Sequence, residues 1–220
     1  MGISTLPVFA IALWLVSTGW PVSGQSPDRI RVRNPSFDAY NKYFVIPPDW
    51  TPHPVFLAGI EPKQLRLTRF YRDSEPSHHG DTHIALAAYR SGIRENLGQR
   101  LKYPMIRGHR YALDVWCAWS PRRSTVHPIL QEGIPEGDLA PLRLQLFGFR
   151  DDDPHENTLL AETPLIDHPE WRRYTLEWTC PGTYRNLYLV ATWKEREAYD
   201  GNLLVDDLSA IRVTRVSPGQ

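Results

Sequence analysis

LRLQLFGF, residues 142–149, alternates without a break: Leu142, Leu144 and Leu146 take one parity, Arg143, Gln145 and Phe147 the other. Successive side chains on a strand point to opposite faces, so this pattern reads as a strand with one buried and one solvated face. Comparable runs lie on both sides of it: YFVI (43–46), THIALAAY (82–89), ENLGQRL (95–101), YALDVWCAW (111–119), WRRYTLEW (171–178), NLYLVATW (186–193) and NLLVDDLSAI (202–211). Turn signals separate them, and no stretch carries a capped helical stripe. Repeated short strands of this kind predict an all-β fold, an antiparallel jelly-roll β-sandwich. Two proline-rich segments, IPPDWTPHP (46–54) and HPILQEGIPEGDLAP (127–141), read as long surface loops within one domain.

The chain carries 25 basic and 25 acidic residues, so its formal net charge is zero. That balance argues against a nucleic-acid partner, which calls for a basic excess or stripe. Residues 1–24, MGISTLPVFAIALWLVSTGWPVSG, hold no charged side chain. An apolar run followed by Pro21 and small residues reads as a signal peptide cut after Gly24. Gly19 and Pro21 leave the run short of the roughly 20 apolar residues of a membrane span. The expectation is an exported protein, periplasmic, cell-surface or secreted, whose single domain occupies 25–220 without a transmembrane segment.

Export makes pairing of Cys117 and Cys180 feasible, since both fall on apolar parity in their strands; two separate buried thiols are equally compatible with the pattern. No nucleophile elbow, HExxH, P-loop or EF-hand loop occurs. The acid-rich DDDPHE (151–156) reads as a solvated loop, because adjacent carboxyls cannot flank a glycosidic bond from opposite sides. The residues therefore argue for a binding protein rather than an enzyme. One feature of the last strand needs a partner: Asp206 and Asp207 sit side by side within NLLVDDLSAI, so one of them faces inward. A buried carboxylate requires hydrogen bonds or a cation, a metal ion among the candidates.

Asn34-Pro-Ser-Phe37-Asp38, the later HHGDTHIAL, the segment LKYPMIRGHRY (101–111) and the closing Val205-Asp206-Asp207 follow one another in an order that resembles galactose-binding-domain-like sandwiches. That group includes many carbohydrate-binding modules of secreted and envelope-associated bacterial proteins. The resemblance covers roughly residues 30–213. It implies a structural calcium ion tying the first strand to the last. The carried-over ligands are Asp38, standing where Glu is more usual, Asp206, and carbonyls around Gly80 and Asp81; calcium's preference for hard oxygen donors suits that set.

In a jelly roll the second, fourth, fifth and seventh strands commonly share a curved outer face. Outward parity there gives Tyr89, Asp114, Trp116, Arg143, Gln145 and Tyr188 as candidate ligand-binding residues, with Thr192 beside them. Aromatic faces stack on pyranoses and planar polar groups bond their hydroxyls. A second candidate is the loop pair bearing Trp50 and His78-His79, although a solvated turn explains the two histidines as well. The expected partner is a carbohydrate or cell-envelope glycan; an envelope protein is the alternative.

Overall fold

The computed structural model describes residues 27–38, 46–52, 76–120, 139–151, 157–194 and 197–214. Ten strands lie among them: β1 (Arg29–Ile30), β2 (Ile84–Ala88), β3 (Asn96–Met105), β4 (Arg110–Trp119), β5 (Arg143–Phe149), β6 (Asn157–Glu162), β7 (Arg172–Thr179), β8 (Tyr184–Thr192), β9 (Gly201–Asp206) and β10 (Ile211–Thr214). Every pairing between them is antiparallel, in two sheets. The first sheet runs β1-β10-β4-β9-β2, with β7 on the other side of β4; the second runs β3-β8-β5-β6.

The period-two pattern explains why the sheets stack. Leu113, Val115 and Cys117 of β4 and Leu203 and Val205 of β9 share one core with Leu144 and Leu146 of β5 and Leu187 and Leu189 of β8. Polar residues of opposite parity turn outward, as a sandwich requires. The all-β sandwich expected from the sequence is thus the fold observed.

Three local readings change. NLLVDDLSAI is two strands: β9 flanks Trp116–Trp119 and β10 flanks Arg110–Ala112, end to end along the same side of β4. Asp207, at φ 47°, turns the chain between them. Ser209 fills the gap, its N–H donating to the Asp114 carbonyl at 2.9 Å and its Oγ accepting from Asp114 N at 2.9 Å. Strand β6 was not foreseen. Trp50, expected in a recognition loop, is buried against Phe37 with ring centroids 4.9 Å apart, and its indole N–H donates to Asn34 O. The run 43–46 falls almost wholly outside the described residues, as do the signal-peptide segment and most of DDDPHE.

For the cysteines, the second of the two readings left open by the sequence is the one observed. Both line the core as free thiols. Cys180 N donates to His109 O, whereas Cys117 lies eight residues further along and pairs with Arg172. Strand rise separates them by roughly 25 Å, and a disulfide spans at most about 7 Å between Cα atoms. The two cannot be bridged in this fold.

Candidate functional site

Two regions bring sequence-selected residues together. The first joins the chain start to β9. Asn34, at φ 44°, accepts from Asp38 N through Oδ1 at 2.8 Å and donates from Nδ2 to the carbonyls of Asp38 and Pro48. The Thr82 hydroxyl donates to Phe37 O, fastening this turn to the segment before β2. Gly80 sits at φ +67°, and a Cβ there would lie 3.1 Å from Asp38 Oδ1, so the Asp38 carboxylate rests against the turn. Asp206 reaches the same turn from β9: Oδ2 accepts from His79 N at 2.9 Å and Oδ1 from Asp207 N at 2.7 Å. Its side chain is fully buried, and burial pushes the carboxyl up to about 6 although backbone amides of His79, Asp207 and His78 pull the other way.

Asp38 and Asp206 thus touch one turn at different residues, Asp38 at Gly80 and Asp206 at His79, with Asp81 exposed one residue on. The donors are oxygens, as calcium demands, and a buried carboxylate held only by amides fits a neighbouring cation. Among the described residues no group of three or more His, Cys, Asp or Glu side chains is arranged to hold a metal. An ion here would therefore depend on backbone carbonyls as well as the two carboxylates. Around the turn, His78 stacks on Trp116 at 3.7 Å between centroids, its Nδ1 3.4 Å from Asp207 Oδ2. His79 Nδ1 lies 3.0 Å from Ser36 Oγ.

The second region is the outer face of β3-β8-β5-β6. Register places Arg143 opposite Thr192, Gln145 opposite Glu162, and Phe147 opposite Tyr188. Arg143 Nη1 donates to Glu162 Oε1 at 3.1 Å and Gln145 Nε2 to Glu162 Oε2 at 3.0 Å, a row of planar polar groups. Arg143 and Glu162 are 29% and 38% exposed, and the buried Arg143 Nε has no hydrogen-bond partner. Beside this row Phe147, Phe149, Tyr188 and Val190 form an apolar cluster separate from the main core. Little of it reaches solvent, Phe147 and Tyr188 being 8% and 9% exposed. The Tyr188 ring lies over Gly98, where a Cβ would come within 2.2 Å of it. Burial pushes its phenol up, against a hydrogen bond with Thr51.

The six residues expected on one face are therefore divided. Arg143, Gln145 and Tyr188 share the outer face just described. Asp114 and Trp116 belong to the other sheet, because β3, not β2 or β4, completes the sheet of β5 and β8. Asp114 accepts from Arg212 Nη1 at 2.6 Å and from Thr175 at 2.7 Å; these bonds hold its carboxyl below the usual range, Arg212 foremost. Tyr89 is buried, its hydroxyl donating to Glu95 Oε1 at 2.8 Å. Glu162 was missed because its strand has no clean alternation to expose it.

A two-sheet antiparallel β-sandwich is the class this architecture defines. Comparison with solved structures agrees at the level of fold. The chain is similar to arabinose-bound MgGH51 α-L-arabinofuranosidase, with a TM-score of 0.53 and 9% identity, over 86% of this chain and 27% of that one. It thus spans about a quarter of that enzyme. It is also similar to the CBM22-1 xylan-binding domain of Paenibacillus barcinonensis Xyn10C (TM-score 0.46, 10% identity, 83% of this chain and 93% of that one). A third similarity is to TmCBM61 in complex with β-1,4-galactotriose (TM-score 0.40, 10% identity, 86% and 99%). No protein-family model matches the sequence, and no curated protein matches it.

Proposed function

We propose that this chain is an exported, non-catalytic carbohydrate-binding module whose ligand lies along the outer face of β3-β8-β5-β6. The observation that carries the reading is the row Arg143–Glu162–Gln145, hydrogen-bonded beside the apolar cluster of Phe147 and Tyr188. Planar donors and acceptors held in place by one another are suited to sugar hydroxyls. Carbohydrate-binding modules among the structural neighbours are consistent with this role. The charge-free leader supports export. Calcium at Asp38 and Asp206 would brace the first turn against β9 and take no part in recognition.

Trp116 has a different part in this scheme. With His78 against its ring, it packs the 76–83 segment onto the first sheet rather than stacking on ligand.

The test is a glycan array, including xylo-, galacto- and arabino-oligosaccharides, probed with the purified chain in calcium buffer. Specific binding weakened about tenfold by Arg143→Ala, at unchanged melting temperature, is the expected result. A blank array on folded protein overturns the reading and favours an envelope protein as partner.

A further inference from the structure

Tyr103, on the long edge strand β3, is 41% exposed. A single exposed apolar residue calls for no explanation, but three features set this one apart. The first is its parity. Leu101, Tyr103 and Met105 fall on one face of an alternating strand, yet Leu101 and Met105 are fully buried while the ring between them stands in solvent. A register shift is the cause: Arg100 lies opposite Asn186 and Met105 opposite Tyr184, a step of five residues on β3 against two on β8. Extra residues of this kind re-aim side chains and are over-represented next to active sites. Arg185 Nη2 donates to Lys102 O at 2.9 Å and fixes the diverted backbone.

The second feature is the hydroxyl. Tyr89, Tyr111, Tyr174, Tyr184, Tyr188 and Tyr199 each use theirs in a hydrogen bond; among the described tyrosines Tyr103 alone does not. Nothing inside the fold therefore holds this ring or needs it. The third is the neighbouring charge, Lys102 Nζ lying 5.4 Å from the ring centroid.

From these we infer that Tyr103 is a second sugar site, its ring stacking on the C–H side of a pyranose while Lys102 donates to a hydroxyl beside it. A tyrosine ring presents an apolar, electron-rich face, which matches the weakly positive C–H groups on one side of a pyranose. The ammonium supplies three rotatable donors. Asn96, Val190 and Gln145 lie level across the second sheet. Strand rise from Asn96 to Tyr103 places the ring roughly 20 Å from the row of Arg143, Glu162 and Gln145. Stacking at Tyr103 rests on the reading of the chain as a sugar-binding module but uses a separate place, so the two can fail separately.

The test is titration calorimetry of the full chain with xylohexaose and with galactohexaose, wild type against four variants. Tyr103→Ala should weaken binding about tenfold, on the scale of other aromatic contacts. Tyr103→Phe, which keeps the ring, should stay within about twofold of wild type. Tyr103→Leu, apolar but not flat, should bind as weakly as Tyr103→Ala. All three should melt as wild type does, because an exposed side chain without internal bonds contributes little to stability. Arg143→Ala reports on the sheet face. Its loss alone, with wild-type affinity in Tyr103→Ala, overturns the Tyr103 site and leaves the sheet face standing; the converse removes the sheet face and keeps Tyr103. Wild-type affinity in Tyr103→Leu overturns stacking, as does a melting temperature that falls together with binding in Tyr103→Ala. A folded wild type that binds neither sugar overturns both sites.

Discussion

Trp116 and Asp206 face each other across β4 and β9 in register, and both serve the turn that carries His78 and His79. Truncating Trp116 removes the surface on which His78 lies. Core tryptophans cost about 3–5 kcal/mol on truncation; for this half-buried one Trp116→Ala should cost about 2 kcal/mol in urea denaturation. An unchanged midpoint would show that the stack does not hold the segment. Asp206 is a fully buried carboxylate whose described partners are backbone amides. Calcium at millimolar concentration should raise the melting temperature, chelation should reverse the rise, and Asp206→Ala should abolish the calcium-dependent increment. Equal melting with and without the ion removes calcium from the account. The sequence made Asp206 legible because two adjacent aspartates in an apolar run force one inward; it could not tell that amides already meet both oxygens.

At the scale of elements, Gly98 and Asp114 show what strand pairing adds to pattern. A Cβ at Gly98 would meet the Tyr188 ring at 2.2 Å and the Leu187 carbonyl at 2.5 Å. Overpacking of this sort costs about 1–3 kcal/mol, so Gly98→Ala should destabilise by that amount and displace Tyr188, read by thermal melting and tyrosine fluorescence. Asp114 on β4 ties β10 through Arg212 and β7 through Thr175. Its carboxyl is held below the unfolded value of about 3.9. The resulting stability is present above that value and lost as pH falls through the lowered one. The melting-temperature gap between wild type and Asp114→Asn should be constant from pH 7 to about 5 and close below about pH 4. A gap that persists at pH 2 would remove the ion pair from the explanation. Alternation put Asp114 on the outward parity of its strand, but periodicity names a face and not a partner. Strand β6 stayed hidden for a related reason: Asn157–Glu162 is an edge strand, half-exposed along its length, so apolar and polar residues do not separate.

For the whole molecule, the fold was legible because its information is local, whereas the division into sheets depends on pairings far apart in sequence. The expected outer face mixed strands of both sheets, and the order β3-β8-β5-β6 is invisible until β8 is seen between β3 and β5. The same global fact governs the cysteines. Each had the parity of a core residue, and each is in the core, but they occupy opposite ends of the β4–β7 pair. Cohesion therefore comes from one apolar layer shared by both sheets, without a covalent tie between them. Burial pushes the Cys117 thiol far up and that of Cys180 to about 11, so neither forms much thiolate near neutral pH. The native chain should leave both thiols unreacted with a thiol-specific chromogenic reagent, and the denatured chain should release two equivalents. Reducing agent should not move the melting temperature, even for protein recovered from an oxidising compartment. No thiol released on denaturation, together with a melting temperature that falls on reduction, would mean that a disulfide has formed and that β4 and β7 do not pair in the register described.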